Sequence, residues 1–200
     1  FAKEQGLTID EKGFEAAMAE QKERARAARA KVSAKVATPD TTKLDAKELT
    51  TEDKDGETKL LLLGQDGKEI VSAADGTEVT VVLKNNPFHA EGGGQIGDSG
   101  TIVGEEGTIQ VVDTKKLPDG IVYVIGTVSE GIIREGETVT VTVDRVRRED
   151  IARNHTGTHM LQAALRRVLG DQVNQAGSLV LPDRLRFDFT HFESITPEQL

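Results

Sequence analysis

The chain has 200 residues, 36% hydrophobic and 30% charged, which suffices for one or two domains with a buried core. The absence of cysteine excludes disulfides, thiolate nucleophiles and cysteine-based zinc ribbons within it. Apolar runs such as Leu60 to Leu63 are far below the roughly 18 residues of a membrane-spanning helix. The net charge of −9 is uneven: basic and acidic residues number eight and six in 1–36, nine and 21 in 37–144, and eight and seven in 145–200, so basic patches at Lys22 to Lys35 and Arg145 to Arg153 flank an acidic middle.

In chain order, Thr8-Ile9-Asp10-Glu11 reads as a capping box, and Phe14, Met18, Ala25, Ala28 and Val32 follow at helical spacing, so a long helix is predicted across 1–37. Its apolar seam is thin and mostly alanine, which calls for a larger neighbour to lean on. Pro39 stops it, and the polar stretch Thr38 to Asp55 reads as linker. The period then changes to two in Lys59–Leu63, Lys68–Ser72 and Glu78–Leu83, separated by the hairpin dipeptides Asp66-Gly67 and Asp75-Gly76, and again in Thr108–Val112, Ile121–Val128 and Thr138–Val146. Six short strands with no helix between them favour a small closed barrel, because closure removes exposed edges. The barrel is expected over 56–146, within a subdomain spanning 38–147.

From Ile151 the pattern becomes helical, with Leu161, Leu165, Val168 and Leu169 on the same expected face and Gly170 as its stop. Two strands, Ser178–Leu181 and Leu185–Phe189, are predicted about a Pro182-Asp183 turn. The start at Phe1 reads as a cut and Pro197-Glu198-Gln199-Leu200 as the opening turn of another helix, so the chain is expected to be a fragment, with 148–200 an incomplete final subdomain. The overall class predicted is α+β.

Two stretches carry chemistry. His155-Thr156-Gly157-Thr158-His159 puts two imidazoles at i and i+4, one turn apart on one side of a helix, where both can reach a zinc ion at about 2.0–2.1 Å; two solvated helix histidines have the same spacing. No glutamate stands between them, so the metalloprotease arrangement is absent, and a catalytic zinc needs at least one more protein ligand. Phe88 to Gly100 holds five glycines within positions 92–100. Such density permits positive φ and close approach to a ligand or another segment, and it also suits a long flexible connection between strands. No Gly-Lys-Ser/Thr follows, which excludes a Walker loop. Weaker candidates are the Glu91 and Asp98 carboxylates, the arginines at 145, 147, 148 and 153 as phosphate contacts, and His191 with Asp188, for which a structural role is expected in an alternating strand.

Four segments in order, Gly13 to Arg26, Pro87 to Gly100, Arg153 to Leu161, and Gln175 to Val180 with Leu185 to Phe189, resemble the alanyl-tRNA synthetases over almost the whole chain. The resemblance implies the end of a tRNA-recognition helix (1–37), a barrel similar to those of translation factors, and the start of the α/β domain that hydrolyses mischarged Ser-tRNA(Ala) or Gly-tRNA(Ala). In that family His155 and His159 would be zinc ligands, and further ligands would come from a Cys-x-x-x-His that this sequence does not contain. The family's loop usually reads Phe-Tyr-Ala-Glu-Ser-Gly-Gly-Gln; here His89 replaces the tyrosine and Gly92 the serine, while Gly93 and Gly94 remain.

On this reading Gln95 and Thr156 recognise the misplaced serine, since an apolar pocket rejects an added hydroxyl poorly and a hydrolytic second sieve is needed. Arg24, Arg26, Arg29, Arg147, Arg148 and Arg153 would hold tRNA(Ala) phosphates. ATP and Mg2+ would belong to an aminoacylation domain outside these residues, and the expected compartment is the cytoplasm, with neither DNA nor membrane as partner. A non-catalytic tRNA-binding, translation-factor-like module is the alternative; a free-standing editing protein fits less well, because the Phe14 to Arg26 segment belongs to the synthetase resemblance.

Overall fold

The computed structural model describes residues 10, 12–21, 23 and 37–200. The chain divides into two units, Phe1–Ala37 and Thr38–Leu200. In the first, residues 12–21 form helix α1. Its N-terminus is capped by Asp10, whose Oδ1 accepts the Gly13 N–H at 2.9 Å while its carbonyl accepts that of Phe14 at 3.0 Å. Asp10 thus fills the capping position within the stretch read as a capping box; Thr8 and Glu11 lie outside the described residues. Phe14 and Met18 are exposed. Ala25, Ala28 and Val32 lie outside the described residues, as do Arg24, Arg26 and Arg29.

The second unit begins with a 3₁₀ turn, Ala46–Glu48, followed by strands β1 (Thr50–Thr51), β2 (Gly56–Gln65), β3 (Lys68–Glu69), β4 (Ser72–Ala74), β5 (Glu78–Leu83) and β6 (Asn85–Asn86). After the glycine-rich loop come β7 (Gly100–Val103), β8 (Glu106–Lys116), β9 (Val122–Arg134), β10 (Thr138–Val143), helix α2 (Arg145–Leu169) and the strands β11 (Gln175–Val180) and β12 (Leu185–Phe189). The fold is α+β.

Six strands pair antiparallel in the order β10-β7-β8-β9-β5-β2, and β10 returns to β2 with Thr138 opposite Lys59 and Val141 opposite Gly56. The sheet is therefore a closed barrel with no free edge in the ring. Alternation along β10 turns Val139, Val141 and Val143 inward and the intervening threonines outward. The interior is filled by Leu60, Leu63, Val81, Leu83, Ile102, Ile109 and Val124, all at most 1% exposed. Phe88, wholly buried, plugs this core at the start of the glycine-rich loop.

Several predicted elements shift. Asp66-Gly67 makes the expected hairpin between β2 and β3, with both central residues at positive φ (52° and 77°). Asp75-Gly76 does not make one. It is a jog at which β4 passes into β5, and both pair with the long strand β9; Asp75 N donates to Gly131 O and Gly76 N to Val128 O. The predicted run Lys68–Ser72 is split between β3 and β4. Strand β7 escaped the periodicity because it is only four residues long and opens on a glycine. The predicted strand Thr138–Val146 ends at Val143, because Asp144 caps α2: its Oδ1 accepts the Arg147 N–H at 3.0 Å. The stretch read as linker contributes β1, paired parallel with β6.

Candidate functional site

Helix α2 buries Ile151, Thr158 and Leu169, seven and eleven residues apart and so on one line of a 3.6-residue helix. Asn154 ties the helix to the β11–β12 turn by donating from Nδ2 to the carbonyls of Leu181 (2.7 Å) and Pro182 (3.1 Å). Leu161 and Val168, expected on the buried face, lie about 80–100° around the helix from Leu169 and are exposed. Gly170 ends the helix at φ 107°.

The glycine-rich loop is held in place at both ends rather than being a slack connection. Phe88 is anchored in the barrel, His89 N donates to Asp98 Oδ2 (2.7 Å), Asp98 N donates to His89 O (3.0 Å), and the Thr114 hydroxyl donates to Asp98 O (3.0 Å). Its tip is a two-residue turn, Gly93-Gly94, with φ of 58° and 86° and reciprocal hydrogen bonds between Gly92 and Gln95 of 3.0 and 2.9 Å. Positive φ at both central residues is the type I′ signature, which explains the adjacent glycines. The tip docks on β11: Val180 N donates to Gly94 O (2.7 Å) and Ser178 Oγ donates to Gly93 O (3.3 Å). A Cβ on Gly94 would lie 2.2 Å from Ser178 Oγ. Gly92 has open space where a Cβ would stand, so the family's serine would fit there.

This docking brings Gln95 to the histidine pair. Gln95 Oε1 lies 2.7 Å from His155 Nδ1, and the His155 and His159 rings stand 5.1 Å apart between centroids, tilted by 31°. His155 is half-buried and His159 exposed. The neighbouring Thr156 is exposed, its hydroxyl donating to Ala152 O of its own helix at 3.0 Å. The pair fits as two nitrogen donors of a zinc site, held one turn apart and steadied on one side. Among the described residues, no group of three or more His, Cys, Asp or Glu side chains is placed to hold a metal ion.

The comparisons bear on the same segments. The model of class II tRNA synthetases (A) matches residues 1–147. The alanine–tRNA ligase of Chloroflexus aurantiacus is 52% identical over 202 aligned residues, covering 100% of this chain and 22% of that protein. Those of Listeria innocua and Acetivibrio thermocellus are 44% and 45% identical, again over 100% of the chain and 23% of theirs. The chain belongs to the alanyl-tRNA synthetase family. It spans under a quarter of the length of these synthetases.

Within this synthetase segment the arginines expected at phosphates are turned largely onto protein acceptors. Arg148, its side chain 14% exposed, donates to the buried Asp98 through Nε (2.9 Å) and Nη2, to Pro87 O (2.6 Å) and to Asp53 (2.6 Å). Its guanidinium is committed to the fold, since Asp98 is 1% exposed and an unpaired buried carboxylate is strongly destabilising. Arg147 donates to Gly97 O at 2.9 Å, and the exposed Arg153 pairs with Asp150 and Glu149 on its own helix. Arg145 bridges Asp53 and Asp55, and that hydrogen bonding holds Asp53 below the usual carboxylate range. Asp98, one of the weaker carboxylate candidates in the sequence, is thus a buried ion-pair partner 50 residues from Arg148, and no local signal marks such a pair. His191 lies just past β12 rather than inside it. No helix of the structure, among the described residues, is long and apolar enough to cross a membrane.

Proposed function

We propose that this segment belongs to the editing region of an alanyl-tRNA synthetase and serves the hydrolysis of Ser-tRNA(Ala) or Gly-tRNA(Ala), in a parent protein that attaches alanine to tRNA(Ala) with ATP and Mg2+ in the cytoplasm. The observation that carries the reading is the 2.7 Å contact joining the glycine-rich loop to the histidine pair, two motifs 60 residues apart that a structural role for either would not require to meet.

In the reaction, water adds to the ester carbonyl, the bond from that carbon to the terminal ribose oxygen breaks, and the ribose hydroxyl leaves with a proton. His155 and His159 would hold the zinc ion, which when bound supplies charge stabilisation and orientation. The loop supplies a rigid wall: its type I′ tip fixes the backbone of Gln95, so the site pays little ordering entropy when a substrate arrives. Thr156, exposed beside the pair with its hydroxyl donating to Ala152 O, keeps oxygen lone pairs able to accept from a serine hydroxyl. Arg147 and Arg153, together with Arg24, Arg26 and Arg29, would contact tRNA phosphates; Arg148 serves them only indirectly, by fixing the start of α2.

The deciding experiment compares full-length synthetase carrying His155→Ala with wild type. Loss of Ser-tRNA(Ala) hydrolysis by 100-fold or more with aminoacylation retained is expected; unchanged hydrolysis overturns the reading. The isolated chain is expected to bind tRNA(Ala) in a salt-dependent way without hydrolysing the ester. A chain that binds tRNA while the full-length His155→Ala synthetase still deacylates at the wild-type rate would favour the non-catalytic binding module.

A further inference from the structure

We propose that Gln95 is a positioning residue that sets the tautomer and orientation of His155. Its Oε1, 2.7 Å from His155 Nδ1, is a carbonyl oxygen and can only accept, so the proton must sit on Nδ1. The lone pair is then on Nε2, the nitrogen at the outer end of the ring, while a free histidine side chain in water prefers the opposite tautomer. This arrangement is what a metal-binding imidazole needs, with one ring N–H given to an acceptor of the protein and the other nitrogen left to the ion. The proposal rests on the metal reading above only for the use to which Nε2 is put.

Gln95 can act in this way because its backbone is over-determined. Reciprocal hydrogen bonds to Gly92 (3.0 and 2.9 Å) hold it on one side, and Ile96 N and Gly94 O reach Val180 at 3.4 and 2.7 Å on the other. The loop's glycine content is thereby explained by a task at one side chain: Gly93 and Gly94 make the turn, and Gly94 makes the close approach to Ser178.

The test uses the 200-residue chain, uniformly 15N-labelled, at a pH above the ordinary imidazole pKa of about 6.5 so that the rings are neutral. Long-range 1H–15N spectra should show His155 protonated on Nδ1 in wild type, shifted toward Nε2–H in Gln95→Leu, and restored to Nδ1–H in Gln95→Glu, which keeps the acceptor. Zinc titration should weaken by about 10-fold or more in Gln95→Leu and recover in Gln95→Glu. The Val180 amide resonance, unchanged among the variants, reports that the loop remains docked. An Nε2–H ring in the wild-type chain, or a tautomer indifferent to Gln95→Leu, overturns the proposal. Nδ1–H that depends on Gln95 in a chain whose histidines take up no zinc upholds the proposal, and the metal reading is then decided by zinc binding to the full-length synthetase with and without His155→Ala, since two histidines alone fall short of a catalytic zinc site.

Discussion

The barrel and the helix–hairpin layer beside it are stabilised in different ways. In the barrel every ring strand has two neighbours, and the side chains between them are fully buried, so the apolar core carries the stability. In the layer formed by α2, β11 and β12, only Ile151, Thr158 and Leu169 of a 25-residue helix are buried, while Met160 and Val168 are 69% and 52% exposed. That layer is fixed instead by directed polar contacts: Arg148 to Asp98 at the start of the helix, Asn154 to the β11–β12 turn, and the loop tip to Val180. Apolar packing tolerates small adjustments, whereas hydrogen bonds and ion pairs set positions sharply, which is what a pair of ligating histidines requires.

The comparison can be broken most strongly at Phe88. Phe88→Ala removes the bulkiest fully buried side chain among the described residues and is expected to destabilise the barrel by about 3–5 kcal/mol, read from a denaturant midpoint with unchanged m-value. Next comes Arg148→Met, which leaves Asp98 buried without its partner at a cost of about 3 kcal/mol; restoring much of that loss in the double variant with Asp98→Asn would show that the unpaired charge is responsible. If the loss persists in the double variant, packing of the arginine stem is what matters.

Smaller effects sharpen the picture at the loop tip. Gly94→Ala, at φ 86° and 2.2 Å from Ser178 Oγ, should undock the tip from β11 and destabilise by about 1–3 kcal/mol, with loss of amide-exchange protection confined to Val180 and its neighbours. Gly92→Ser, with nothing within 4 Å of the added Cβ, should change stability by less than about 0.5 kcal/mol in a thermal melt. The smallest effect concerns pH. Arg145 holds Asp53 below the ordinary carboxylate value of about 3.9, so this contact contributes above that pH and is lost as pH falls through the depressed folded-state value. Arg145→Gln should flatten acid unfolding slightly in that window, and an unchanged acid limb would show that the exposed pair contributes nothing measurable.

Much of this was legible in one dimension. The alternation of Thr138–Val143, the Asp66-Gly67 turn, the Gly170 stop and the i, i+4 histidines are local patterns, and each is fixed by short-range sterics or by a face buried at a constant period. Strand β7 and the early start of α2 were not legible, because four residues give too short a period and Asp144 acts as a cap only once the chain has left β10. The jog at Asp75-Gly76 looks like a hairpin in sequence, and only the length of β9, which accepts β4 and β5 one after the other, makes it something else.

The sequence by itself determined an α+β chain with a closed barrel, its family, and the two motifs at which chemistry is proposed, because composition, period and motif spacing are properties of neighbours along the chain. Only the tertiary structure decided that Arg148 belongs to Asp98 and that Gln95 meets His155. Those contacts join residues 50 and 60 positions apart, and barrel closure and loop docking, rather than any local preference, bring them within hydrogen-bond reach.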